Sequence, residues 1–120
     1  MKNWNQKIGK KGEDLAQKYL ESQCVRIIAR NQRTQYGEID LIGIQNDAYL
    51  FIEVKTRTST KYGVPELSIT DTKLQHMMDC ATDYIQSHDI QASIRIDVIA
   101  ILLDGTTTKP EIEWIQNVTQ

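Results

Sequence analysis

At 120 residues, with 40% apolar residues and a net charge of -2, the chain suits one compact domain with a real core rather than a disordered chain. Two cysteines, Cys24 and Cys80, form no CxxC pair and are too few for a disulfide scaffold, so a reducing, cytoplasmic setting is expected. The polar start lacks a signal-peptide core, and the longest apolar run, Val98 to Leu103, is too short to span a bilayer, so no membrane partner is expected.

Residues 5–22 predict a helix, because Ile8, Leu15, Ala16, Tyr19 and Leu20 recur at helical spacing. Glu13 falls on the border of that apolar stripe, while Asp14 points away from it. "CVRIIAR" (24–30), "GEIDLIGI" (37–44) and "YLFIEVK" (49–55) predict three strands. A loop over 56–69 carries Gly63 and Pro65. Residues 70–87 predict a second helix, capped by Thr70 or Ser68, with Leu74, Met77, Met78, Ala81 and Ile85 on one face. "ASIRIDVIAILL" (92–103) predicts a long strand, Asp104-Gly105 a turn, and "EIEWI" (111–115) a returning edge strand. The order α-β-β-β-α-β-β describes a single α/β domain over 1–120, an α+β arrangement with helices packed on a mixed sheet.

The small net charge hides an asymmetry. Residues 1–61 hold 11 Lys and Arg against 7 Asp and Glu, whereas residues 62–120 hold 3 against 9. Such a chain can turn a basic face to a polyanion despite an acidic total, although charge blocks are more often plain solvated surface.

"FIEVKTR" (51–57) places Glu53 and Lys55 on one face of an otherwise apolar strand. The preceding strand is joined to it through Asn46-Asp47, a pair that tolerates positive φ and suits a two-residue hairpin turn. That turn pairs residues whose numbers sum to 93. Ile39 then faces Val54 and Leu41 faces Ile52 on an apolar side. The other side pairs Ile42 with Phe51, Asp40 with Glu53, and Glu38 with Lys55. Two carboxylates about 5 Å apart repel by about 3 kcal/mol at an effective dielectric near 20. A bound hard cation, the Lys55 ammonium or protonation of one acid would compensate. The bland alternative is a solvated sheet face on which Lys55 pairs with Glu38.

Asp40, then twelve residues, then Glu53-Val54-Lys55 is also the layout of the PD-(D/E)XK nuclease superfamily. "GKKGEDLAQKYL" (9–20), "ARNQRTQYGEIDLIG" (29–43), "FIEVKTR" (51–57), "YGVPE" (62–66), Lys73 and "RIDV" (95–98) together resemble the UPF0102 (YraN-like) family. The chain is likewise similar to archaeal Holliday-junction resolvases, which implies a restriction-endonuclease-like core. Ile96 stands where the family's motif usually has Phe, and "LQHMMDC" after Lys73 lacks the arginines often found there.

The resemblance implies a metal-dependent endonuclease that hydrolyses phosphodiester bonds of DNA, branched or damaged DNA included. Asp40 and Glu53 would bind Mg²⁺ or Mn²⁺ with the backbone carbonyl of Val54, and Glu13 would join them directly or through water. Lys55 would orient or help deprotonate the attacking water, and Glu38 would tune that lysine or add a ligand. Asn31 and Arg33 match an N-x-R motif that holds a phosphate or braces its loop. Arg57, Lys61 and Lys73 would contact the nucleic-acid backbone. Cleavage of a four-way junction would require two sites, hence a homodimer. Asp97 with Arg95 reads as an internal pair, His76 and His88 as surface polar residues, and Trp4 and Trp114 as packing residues. The rival reading is a non-catalytic nucleic-acid-binding or scaffolding protein that retains the nuclease fold.

Overall fold

The computed structural model describes residues 4–58, 69–103 and 109–119. Helix α1 spans Trp4–Ser22, and strands β1 (Arg26–Thr34), β2 (Gly37–Gln45) and β3 (Ala48–Arg57) follow. Helix α2 spans Asp71–Ser87, and β4 (Ser93–Leu102) and β5 (Glu111–Ile115) complete the chain. The element order is the expected one, and the sheet order is β1-β2-β3-β4-β5. Among the described strands only β3 and β4 run parallel, and α2 lies in the crossover that a parallel pair needs. Thr70 caps α2 by accepting the Lys73 N–H. Lys61, Gly63, Pro65, Ser68, the "YGVPE" block and the Asp104-Gly105 turn lie outside the described residues.

Each helix buries one stripe against one sheet face. On the α1 side, Ala16 and Leu20 pack with Leu41, Leu50, Ile52, Ile99 and Ile101. On the α2 side, Met77, Cys80, Ala81 and Tyr84 pack with Ile39, Ile42, Phe51 and Ile96. Met78, expected in that stripe, is 38% exposed, and Tyr84 takes the place at its centre. Strand β1 runs on to Thr34, past its expected end at Arg30, because Gln32, Arg33 and Thr34 still pair with Ile39, Glu38 and Gly37 of β2, while their polar side chains give no apolar strand signal. Among the described residues no helix is long and apolar enough to cross a membrane.

Gly12 sets how closely α1 approaches β3. A Cβ there would overlap the Thr56 hydroxyl and stand 3.0 Å from its Cβ. Gly12→Ala is therefore expected to destabilise by about 1–2 kcal/mol despite alanine's better helix propensity. Chemical denaturation checks this, and a Thr56→Ala background should recover most of the loss.

Candidate active site at the β2–β3 fork

The β2–β3 hairpin turns at Asn46 (φ 50°) and Asp47 (φ 66°), the left-handed pair that a two-residue turn demands. The observed pairs Leu41–Ile52, Ile42–Phe51, Gly43–Leu50, Ile44–Tyr49 and Gln45–Ala48 all keep the expected register. The ladder ends at Leu41–Ile52, so Asp40–Glu53, Ile39–Val54 and Glu38–Lys55 are not ladder pairs as expected. Strict alternation would send Ile39 to the same side as Leu41, yet Ile39 packs with Ile42 on the α2 side. Alternation therefore breaks at Asp40. There the Asp40 carboxylate, rather than a backbone carbonyl, accepts the Val54 N–H at 2.8 Å. The two strands fork, and side chains from both layers meet in the gap.

A cavity of about 410 Å³ opens at this fork, lined by Asp40, Glu53, Val54 and Thr56 from the sheet and by Ile8, Gly9 and Glu13 from α1. Glu53 is 18% exposed and pairs across the other layer with Lys73 of α2, Nζ to Oε1 at 3.3 Å. Glu13 Oε1 accepts from Asn31 Nδ2 at 3.2 Å and lies 3.6 Å from the Arg30 guanidinium. Asn31 adopts φ 51°, a conformation asparagine tolerates. Arg30 is held in turn by Asp14 at 2.7 Å.

Burial pushes the Asp40 carboxyl up to about 7, helped by the negative charges of Glu53 and Glu13 and opposed by the Val54 N–H and by Lys73. In the unfolded chain the group titrates near 3.8. Between those values the folded protein binds more protons, so stability falls as pH rises from about 4 to 7 and levels off above. The slope, worth on the order of 2–4 kcal/mol over the window, should vanish in Asp40→Asn, whose amide oxygen still accepts from Val54. Denaturation midpoints in EDTA from pH 4.5 to 8 measure it.

Glu13, Asp40 and Glu53 thus share one cavity. Lys55 is half-buried on β3, two residues beyond Glu53, and does not line the cavity. Arg33 is 85% exposed beside Glu38 at 3.9 Å, and Arg57 is exposed, so neither enters it. Lys73 of α2 touches a carboxylate of the site. Arg30 went unremarked, although an arginine in the apolar run "CVRIIAR" was the available signal. His76 is half-buried, not a plain surface residue: its Nε2 meets the Tyr36 carbonyl and braces the β1–β2 turn against α2. His88 stacks on Tyr84 at 4.1 Å.

Among the described residues no three Asp, Glu, His or Cys side chains close into a ready-made metal cage. The oxygen-only donor set at the fork still fits Mg²⁺ or Mn²⁺. Magnesium commonly keeps several waters and takes only one or two carboxylates. A cation would also relieve the crowding that lifts the Asp40 carboxyl.

The family described as "Uncharacterised protein family UPF0102" matches residues 12–101, from Gly12 of α1 to β4, which includes Glu13, Asp40 and Glu53. The chain belongs to the UPF0102 family. A UPF0102 protein of Geobacter metallireducens is 40% identical over 114 residues, 94% of this chain and 92% of that protein. A UPF0102 protein of Solibacter usitatus is 39% identical over 111 residues, covering 90% of this chain and 82% of its own length. One from an Arthrobacter species is 38% identical over 112 residues, 92% of this chain and 94% of its length. For a UPF0102 chain, the fork therefore lies inside the family's shared span.

Proposed function

We propose that this UPF0102 protein is a divalent-metal-dependent endonuclease that hydrolyses phosphodiester bonds of DNA. The observation that carries the reading is the carboxylate cluster of Asp40, Glu53 and Glu13 around one cavity, where the sheet forks between the two helices. A purely structural sheet gains nothing from crowding acids at a half-buried position. The spacing shared with PD-(D/E)XK nucleases supports the same reading.

Mg²⁺ or Mn²⁺ held there would lower the pKa of a water and offset negative charge on the phosphate. Asp40 and Glu53 would hold the ion, with Val54 between the strands. Asp40 must first lose its proton, and its carboxyl titrates at about 7. Lys73 offsets the charge of Glu53 from the α2 side. Lys55, on the Glu53 face by alternation, would present its ammonium to the attacking water or to a phosphate oxygen. Asn31 and Arg30 would keep Glu13 oriented toward the cavity.

Labelled linear, flap and four-way-junction DNA, incubated with Mn²⁺, Mg²⁺ or EDTA, tests the reading. Cleavage should need the metal and disappear in Glu53→Ala purified identically. Cleavage unaffected by EDTA or by that substitution would refute it. Lack of metal-dependent cleavage on every substrate, with DNA still bound, would favour the non-catalytic reading.

A further inference from the structure

A second cavity, of about 650 Å³, adjoins the fork and shares Gly9 and Glu13 with it. It lies between the first turns of α1 and the middle of β1. Among the described residues Gln6, Lys10, Arg30 and Asn31 form the rest of its lining, all of them polar. An ammonium, a guanidinium and two amides are the donors that recognise anionic oxygens.

Gly9 supplies an independent observation. Glycine is among the poorest helix formers, yet this one stands within α1. Among the described residues nothing requires it, because an added Cβ would meet none of their atoms within 4 Å. Gly12, one turn on, is the opposite case, pressed against Thr56. Among the described residues, the space over Gly9 is therefore open where the two cavities join. A bare backbone facing open space lets another chain pass close to the helix.

We propose that a polynucleotide strand crosses α1 at Gly9, with the scissile phosphate at the fork and a neighbouring phosphate in the groove of Lys10, Arg30 and Asn31. This rests on the nuclease reading and gives the bound strand its path. Arg30 now pairs with Asp14 at 2.7 Å and with Glu13 at 3.6 Å, and Lys10 pairs with Asp14 at 3.5 Å. The groove is thus close to neutral until a cation at the fork offsets Glu13. A phosphate then takes over the Asn31 amide and the Arg30 edge that Glu13 occupies. Strand and cation accordingly raise each other's affinity. The contacts go to the backbone and carry no sequence information.

The test is fluorescence anisotropy with a labelled single-stranded oligonucleotide and its duplex, in Ca²⁺ and in EDTA, over a range of salt. Ca²⁺ keeps the hard-cation, oxygen-donor chemistry. Gly9→Phe fills the open space, and its melting temperature is checked first. It is expected to weaken binding about tenfold or more. Lys10→Ala, whose exposed ion pair matters little to the fold, should lower the salt slope by about one. Wild-type affinity should be higher in Ca²⁺ than in EDTA. Unchanged affinity in Gly9→Phe with an unchanged slope in Lys10→Ala overturns the path, while loss of cleavage in Glu53→Ala would leave the nuclease reading standing. Wild-type protein that neither binds nor cleaves overturns both. If Gly9→Phe does not fold, the Lys10→Ala slope decides.

Discussion

Asp97→Ala is expected to lose about 3–5 kcal/mol of stability, enough to unfold a marginal domain. Asp97 is fully buried in β4, inside the "RIDV" block. Its carboxylate accepts from Arg95 Nε at 3.0 Å, the other Arg95 nitrogen at 2.9 Å, Trp114 Nε1 at 2.9 Å and the Asn117 N–H at 2.9 Å. Those bonds tie β4 to β5 and to the segment after it. Trp114 in turn meets Tyr19 of α1 edge to face, with ring centroids 6.3 Å apart. Removing the acid strands three donor groups, one of them cationic, in a closed environment. Asp97→Asn should cost less, because an amide oxygen still accepts two of them. Urea unfolding of the three proteins separates these cases. A loss below about 1 kcal/mol for alanine would mean that water replaces the network.

Glu53→Gln is expected to behave in the opposite way, leaving the fold intact and lowering metal-dependent cleavage by about 10²–10³-fold or more. The substitution removes one charge from the crowded fork, so the protein in EDTA should not be destabilised. It should also bring the Asp40 carboxyl down, because Glu53 is the largest charge acting on it. The pH-dependence of stability described above would then shrink. Lys73→Ala tests the supporting shell. It frees Glu53 from its 3.3 Å ion pair and removes a positive charge that competes with the ion, so metal affinity is expected to rise. Single-turnover cleavage combined with thermal melts distinguishes a lost catalyst from a lost fold.

The hairpin was legible because its determinants are local. Asn46 and Asp47 dictate the turn, the turn dictates the register, and the register puts Asp40 and Glu53 at one end of one strand pair. The helices were legible from their apolar stripes, and the border position of Glu13 foretold its place beside the sheet. The fork itself was not legible. A period-two reading assumes unbroken alternation, and the break at Asp40 depends on a side chain replacing a backbone acceptor. The Lys73–Glu53 and Arg30–Glu13 pairs were also hidden, because each joins separate elements across a layer. Met78 misled because it sits at the edge of the α2 stripe, where a helical count cannot decide between core and water. The His76 brace depends on Gly37, whose φ of 136° lets the ring approach where a Cβ would clash.

Calorimetric titration of Mn²⁺ into the wild type and Asp40→Asn, at pH 6 and pH 8, tests the central claim most directly. The wild type should bind at the fork more tightly at pH 8, releasing at pH 6 the proton that Asp40 then carries, and Asp40→Asn should lose that binding at both values. Equal binding by the two proteins, or binding indifferent to pH, would contradict a metal site built on Asp40 and Glu53.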